Sequence, residues 1–368
     1  MSAIYILSDY GKLGKKDETI IFSQPDGTST ILFPYKTEHL VLIGKVSISA
    51  DAFRLLTKYK IPVTFLSSNG KFTGKLTFGD SKNIFLRQKQ FRILDDKEQS
   101  LKIAKSIVVG KIKNQISFMQ RNKRKNSIVD KKVSDAINAI KNTLANAEKT
   151  DDIEKLRGFE GLAARQYFSV FEYNIAPEWA EFKSRSKNPP KSNVNAVLSF
   201  LYTLLMYRVE SALESQGLDI CVGNLHAINY GKNALVFDLM EEFRTPICDS
   251  ICSSLFNLGT LEEEDFEKVI FSKESDDYPL QDDKIPEGNE TSQSEEGLES
   301  GGESFGILLT KKGIKKVIAA FEAKMDNLIM YQPTGEKLSY IKIIYQQVIH
   351  YKRVISGEET EYKSYYFK

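Results

Sequence analysis

The chain has 368 residues, of which 41% are hydrophobic, 51 are Lys or Arg and 49 are Asp or Glu. A chain of this length can bury one large core or two moderate ones, and we expect two domains. We expect no secretory signal peptide, because the first ten residues contain Asp9 and neither Lys nor Arg. The longest apolar stretch, 196–207, is shorter than the roughly 20 residues of a membrane helix, so it predicts a buried core helix and no membrane partner.

The number and spacing of the cysteines favour a protein with reduced thiols, and the charge distribution favours one that binds a polyanion. Cys221, Cys248 and Cys252 are odd in number and lack the C-x-x-C spacing of a zinc site, so we expect small buried residues in a cytoplasmic protein. The formal net charge is +2, but residues 274–303 hold eleven acids and one base, which leaves +12 on the rest of the chain. A basic body attracts DNA, although exposed lysines can also serve solubility alone.

Residues 1–88 predict a small β-rich domain. Short β-branched and aromatic runs alternate with turn signals at 25–27 and 69–70. The predicted strands are 4–7, 19–22, 30–33, 40–43, 62–66 and 71–78. One helix interrupts them, with Ser49 as its N-cap and Pro62 beyond its end.

Residues 89–368 predict a larger, mainly α-helical domain, so the expected fold class is α+β with two domains. The predicted helices are 101–120, 133–148, 152–173, 195–216, 239–258, 311–328 and 338–354. Lysines along the first of them, such as Lys111, predict a basic outer face that binds phosphate or is simply solvated. The stretch 274–304 has few apolar residues and predicts a disordered acidic insertion between strand-like runs at 269–271 and 305–309.

Glu160 is the first candidate functional residue. It lies on the apolar face of the predicted helix 152–173, between Leu156 and Ala163. Burying an ionised carboxylate without compensation is costly, so Glu160 needs a partner. Glu160 is therefore paired with a nearby cation, such as Arg157 or Arg165, protonated, or bound to a metal ion.

His226 and two acids form a second candidate group. His226 follows 223–225 in a predicted loop, and the strand-like run 234–237 leads into Asp238 and Glu241. The spacing Asp238-x-x-Glu241 fits a capping box, in which Asp238 caps the helix and Glu241 reaches back. It equally allows Asp238 to cap the helix or to support a ligand while Glu241 binds a cation. A lone histidine is more often structural than a ligand, so both interpretations stay open at this point.

Glu160, His226 and Glu241 together would offer two carboxylates and one imidazole without a thiolate. Hard cations such as Mg²⁺ or Mn²⁺ accept these ligands and fill their remaining positions with water or phosphate oxygens. Such an ion supports phosphodiester chemistry without a protein nucleophile. The sequence contains no Walker loop, no G-x-S-x-G motif and no H-E-x-x-H pair, which argues against P-loop, acyl-transfer and zinc-protease chemistry.

Five groups of residues, in order along the chain, resemble the motifs of the CRISPR-adaptation integrase, the first-numbered Cas protein. They lie at 44–49 with 61–70, at 156–165, at 189–190 with 195–200, at 225–227 and at 237–244. The resemblance covers nearly the whole chain outside the acidic stretch. Ser192 departs from relatives that often have an acid there, and the acidic stretch is longer than the usual loop. Neither departure touches the candidate ligands.

The resemblance implies a β-rich domain that forms a homodimer and an α-helical catalytic domain. It implies that Glu160, His226 and Glu241 bind Mg²⁺ or Mn²⁺ and that the chain is a nuclease and integrase of antiviral defence. Such a protein cuts DNA and joins the 3′ ends of a captured spacer duplex into a CRISPR repeat array by transesterification, with a small companion subunit. Three basic residues are then expected near the DNA: Arg165, Lys232 and Arg244.

Two other functions stay open on the sequence. A DNA-binding assembly subunit with a vestigial metal site would share the basic body and the β-rich domain. Salt-sensitive DNA binding without cleavage or joining would identify it. A structure-selective nuclease would instead prefer branched DNA over repeat-containing plasmids.

Overall fold

The computed structural model describes residues 2–68, 70–78, 83–121, 127–187, 189–272 and 303–367. The chain divides into two compact units. The first comprises residues 1–80 with 309–314, and the second comprises 81–308 with 315–368. The predicted boundary at 88 falls inside a helix that belongs to the second unit. Most of the predicted acidic insertion, 274–302, lies outside the described residues.

The first unit is built on one mixed six-stranded sheet with the order β3-β2-β1-β4-β5-β6. Its strands are β1 (Ser2–Lys16), β2 (Thr19–Ser23), β3 (Ser29–Leu32), β4 (Thr37–Ile48), β5 (Val63–Leu66) and β6 (Phe72–Leu76). The central pairs β1–β4 and β4–β5 are parallel, and the outer pairs are antiparallel. The strands predicted for this region are therefore present.

Helix α1 (Ala50–Tyr59) makes the crossover between the parallel strands β4 and β5. Ser49 caps it as predicted, because its Oγ accepts a hydrogen bond from the backbone N–H of Ala52. The buried face of the helix, Ala52, Leu55 and Leu56, belongs to one core cluster with residues from the strands. Local capping and burial of this face therefore fix the helix on the sheet.

Gly44 lies at an irregularity in the pairing of β1 with β4, where the backbone conformation requires glycine. Its φ is +102°, and a Cβ there would lie 2.1 Å from the carbonyl oxygen of Ser8. The register of the two strands shifts between Leu7 and Tyr10, beside this contact. Only glycine fits such a close backbone approach at positive φ. The glycine that opens the 44–49 motif is therefore structural.

The second unit is mainly helical. Its helices are α2 (Ile84–Asp95), α3 (Lys97–Arg121), α4 (Ser127–Lys149), α5 (Ile153–Phe168), α6 (Asn193–Ser215), α7 (Ala234–Phe243), α8 (Ser250–Asn257), α9 (Lys311–Asp326) and α10 (Tyr340–Ser356). The start of α9, up to Ile314, is assigned to the first unit. Two small sheets complete the chain: β7 (Phe266–Ser272) with β8 (Glu303–Leu309), and β9 (Leu328–Tyr331) with β10 (Glu336–Ser339). The predicted α+β fold class is confirmed.

Helix α6 is the central core helix of this unit. By length and hydropathy alone it could cross a membrane, and among the described residues it is the one helix that meets both criteria. However, 78% of its apolar window is buried inside the protein. A helix that is apolar on all sides is typical of a large core. The buried helix predicted at 196–207 is thus confirmed.

Three local predictions were wrong. Residues 234–237 form the first turn of α7 and not a strand, because a helix buried on every side carries no periodic pattern to reveal it. The predicted helix 239–258 is interrupted by a π-helical segment, Arg244–Asp249. Pro246 has no N–H for the carbonyl of Glu242, and Asn114 Nδ2 donates to that carbonyl instead, at 2.8 Å. Cys221 is exposed, while Cys248 and Cys252 are buried as expected.

Candidate active site

Glu160 is buried on α5, and its partner is neither of the arginines considered from the sequence. Its carboxylate accepts a hydrogen bond from the Nζ of Lys111 on α3. Arg157 pairs with Glu154 and donates from Nε to the carbonyl of Leu225 at 2.6 Å. The compensation for Glu160 therefore comes from a different helix.

Lys111 contradicts the prediction of a solvated lysine face, since only 5% of this residue is exposed. Its Nζ also lies 2.7 Å from Oε2 of Glu241 on α7. One ammonium group thus bridges two carboxylates that are 81 positions apart in the chain and belong to different helices. Two of the three candidate ligands are brought together at this point.

Glu241 is 1% exposed and surrounded by positive charge. A guanidinium nitrogen of Arg244 lies 3.1 Å from its Oε1. Burial acts to raise the pKa of Glu241, but the charges of Arg244 and Lys111 outweigh it and hold the pKa below its ordinary value. Glu241 is therefore held as an ionised group, with one cationic side chain on each carboxylate oxygen.

Asp238 orients His226 and does not cap a helix, which corrects the capping-box interpretation. It lies inside α7, completely buried, and accepts backbone N–H bonds from Asn224, Leu225 and His226 at 2.5 to 2.9 Å. Its Oδ1 lies 2.7 Å from Nδ1 of His226. A hydrogen on Nδ1 satisfies this contact and leaves Nε2 as a lone-pair donor. The close approach of Asp238 to this loop requires glycine at position 223, because a Cβ there would lie 2.9 Å from Oδ2 of Asp238.

His226 interacts electrostatically with both other candidate ligands. Burial acts to lower its pKa, but the carboxylate of Asp238, followed by those of Glu241 and Glu160, raises the pKa above its ordinary value. The imidazole therefore faces a cluster of negative charge. Protons and divalent cations should compete for Nε2.

The chemical types of the candidate ligands fit a hard divalent cation. In the structure, however, the two glutamates are arranged around the ammonium of Lys111. Among the described residues, no three His, Cys, Asp or Glu side chains are positioned to hold a metal ion as they stand. The ammonium of Lys111 lies between the two glutamates. The carboxylate oxygens of the two glutamates and the Nε2 of His226 are nevertheless the donor types that Mg²⁺ and Mn²⁺ accept.

The three predicted DNA-contacting residues lie in different surroundings. Arg165 is exposed on α5, and Lys232 is half-buried at the end of the loop that follows His226. Arg244 is buried against Glu241, with its guanidinium 4.9 Å from the ring centre of Tyr202. Arg244 thus neutralises the site from inside the protein.

The C-terminal segment supports the site in a way that the sequence did not reveal. Glu242, next to Glu241, is fully buried and accepts hydrogen bonds from the Tyr362 hydroxyl, the Tyr365 N–H and, at 2.8 Å, Gln347 Nε2. Asn114, one turn beyond Lys111 on α3, donates to the Tyr365 carbonyl at 3.2 Å. The C-terminal segment therefore connects α3 to α7 close to Lys111 and Glu241.

Comparison with known proteins identifies the family. A model of the family described as CRISPR associated protein Cas1 matches residues 4–275. The chain is 29% identical to CRISPR-associated endonuclease Cas1 3 of Thermus thermophilus, over 99% of this chain and 97% of that protein. It is 32% identical to CRISPR-associated endonuclease Cas1 1 of Chlorobaculum tepidum, over 73% of this chain and 79% of that protein.

Solved structures share the fold at 21% identity, each over 99% of this chain. A Cas1 protein from Thermotoga maritima matches over its full length with a TM-score of 0.74. A casposase bound to integration product matches over 93% of its length with a TM-score of 0.75. A chain of a Cas6-RT-Cas1–Cas2 complex matches over 36% of its length with a TM-score of 0.77. With its two domains, its motifs and its relatives taken together, the chain belongs to the Cas1 family of CRISPR-associated proteins.

Proposed function

We propose that the chain is a metal-dependent DNA endonuclease and integrase that inserts short spacers into a CRISPR repeat array. The observation that carries this proposal is that the carboxylates of Glu160 and Glu241 meet at the same buried ammonium, that of Lys111. Both of their charges also raise the pKa of His226. Relatives at 29% and 32% identity are named endonucleases, which supports a nuclease. The casposase neighbour is named as bound to an integration product, which agrees with strand joining.

Glu160, Glu241 and Nε2 of His226 would hold the cation in this mechanism. When bound, Mg²⁺ or Mn²⁺ supplies Lewis-acid stabilisation of the phosphate and activates the attacking water or 3′-hydroxyl. Asp238 fixes the orientation and tautomer of His226 through Nδ1. The buried positive charge of Arg244 keeps Glu241 ionised. The protein therefore contributes ionised carboxylate ligands and an oriented imidazole, while the 3′-hydroxyl of the spacer displaces the 3′-oxygen of a repeat strand.

The proposed partners follow from the family and from charge. The formal charge of +12 outside residues 274–303 suits a spacer duplex and a repeat array, and their binding should weaken with salt. A second copy of the chain and a small companion subunit complete the proposed assembly. A structural neighbour is named as part of a complex with Cas2. The cytoplasm, where the DNA lies, is the proposed location.

A strand-transfer assay with purified full-length protein, its companion subunit, a labelled duplex and a repeat-containing plasmid tests the proposal. Label should enter the plasmid with Mg²⁺ or Mn²⁺ and not with EDTA. Glu160→Gln, His226→Ala and Glu241→Gln should each reduce joining by at least about 100-fold, the scale of losing a group that acts only in the transition state. Glu181→Gln, at an exposed carboxylate, is the matched control and should leave joining unchanged. Full joining by the three site variants would refute the metal site.

A DNA-binding assembly subunit is the second candidate function. The observation in its favour is that Lys111 and Arg244 already supply two positive charges against the two glutamates, so the cluster is compensated without a metal. Salt-sensitive binding of the duplex, with neither joining nor cleavage of plasmid and branched DNA under any metal, would support it. Metal-dependent joining by the wild type would exclude it.

A further inference from the structure

Lys111 occupies the position between the two glutamates that a bound cation would need. Its side chain is 6% exposed, and its ammonium contacts Glu160 Oε1 and Glu241 Oε2. The contacts are made across three helices, so they depend on tertiary packing.

The positive charge of Lys111 helps to compensate the two buried carboxylates when no metal is bound. Two buried carboxylates held close together repel each other, and each loses its hydration on burial. A tethered ammonium between them, together with the Arg244 guanidinium on Glu241, offsets their two negative charges before any metal binds. An ammonium and a divalent cation repel each other strongly at contact distance in a buried site, so both cannot remain between the same oxygens.

The helix that carries Lys111 is anchored next to this residue. Asn114, one turn further along α3, is completely buried. It donates to the carbonyls of Glu242 and Tyr365 and accepts from the N–H of Phe367 at 2.9 Å. The backbone of α3 is thereby fixed to α7 and to the C-terminal segment. The flexible four-carbon stem of the lysine is the part that can yield.

We propose that Lys111 is an internal cation that holds Glu160 and Glu241 in the metal-free protein and is displaced from them when a divalent cation binds. It is a positioning residue that competes with the metal and so sets its affinity. This inference rests on the proposed function, because it assumes that the two glutamates bind a metal ion.

Mn²⁺ binding to metal-stripped full-length protein, followed by electron paramagnetic resonance, tests the inference without any activity. Lys111→Met keeps the apolar stem and removes the charge. It should bind Mn²⁺ about tenfold more tightly than the wild type, a typical size for a coupling between two sites. Lys111→Arg keeps the charge and should stay close to the wild type. Lys113→Met, two residues along α3 and half-exposed, is the matched control and should leave the affinity unchanged.

A second measurement uses the wild type, so it stands even if Lys111→Met fails to fold. In protein labelled with ¹⁵N-lysine, a buried, paired ammonium should give a slowly exchanging NMR signal, assigned by its absence in Lys111→Arg. Saturating Mg²⁺ should shift or broaden that signal. A signal unchanged by bound Mg²⁺, or a folded Lys111→Met protein that binds Mn²⁺ no better than the wild type, would overturn the inference alone. Absence of Mn²⁺ binding by the wild type would instead overturn the proposed function.

Discussion

Replacing Glu242 by glutamine tests whether a buried acid beside the candidate site makes the stability of the protein depend on pH. Glu242 is 0% exposed, and burial raises its pKa from the ordinary value of 4.5 to about 7, although three hydrogen-bond donors act in the opposite direction. The donors come from Tyr362, Gln347 and Tyr365. A glutamine at this position has the same shape and carries no charge at any pH.

The size of the effect follows from the difference between the folded and unfolded proteins. Below the unfolded pKa of 4.5, Glu242 is protonated in both states and its contribution to stability is fully present. As the pH rises through the folded value of about 7, the unfolded chain ionises first and the folded protein loses stability. One pKa unit corresponds to about 1.4 kcal/mol, so the loss approaches about 3 kcal/mol by roughly pH 8.

Urea unfolding followed by circular dichroism, in EDTA and at several pH values between about 5 and 8, measures this loss. The free energy of unfolding of wild type minus that of Glu242→Gln should fall by about 2.5 kcal/mol across the range, because part of the total loss has already occurred at about pH 5. Titrations of other groups are shared by both proteins and largely cancel in the difference. Tyr362→Phe removes a donor that lowers the folded pKa of Glu242, so the decline in this variant should extend to higher pH and be larger than in the wild type. A wild-type-minus-glutamine difference that stays constant with pH would refute the reasoning.

Three further changes test other parts of the structure. Asp238→Asn removes the carboxylate that holds Nδ1 of His226, so the pKa of His226 should fall in an NMR titration of metal-free protein; an unchanged pKa would show that the pair does not form. Asn114→Ala leaves buried backbone groups unpaired and should cost about 3 kcal/mol in urea unfolding, whereas a loss below about 1 kcal/mol would contradict the tie between α3 and α7. Gly44→Ala forces a Cβ against the Ser8 carbonyl at positive φ and should cost at least about 2 kcal/mol, with Gly27→Ala, at positive φ but in open space, as the comparison that should cost less.

The sequence was sufficient for features whose causes are local. The strands and turns of the first unit follow from alternating β-branched residues and glycine signals, and Ser49 was recognised as a cap from its place before the helix. Periodicity also placed Glu160 on a buried helix face, which correctly implied that it needs a partner. Where every side of a segment is buried, as in α7, periodicity is lost and the segment 234–237 was misassigned.

What the sequence by itself determined is the two-part α+β organisation, and it also nominated the residues proposed as cation ligands. Only the tertiary structure decided how these residues are paired: Lys111 with both glutamates, Asp238 with His226, and Glu242 with the C-terminal segment. The physical reason is separation along the chain. Asp238 lies 12 positions from His226, Lys111 lies 49 from Glu160, and Glu242 lies 120 from Tyr362. Such contacts depend on how the helices pack, and local propensity carries no information about that packing.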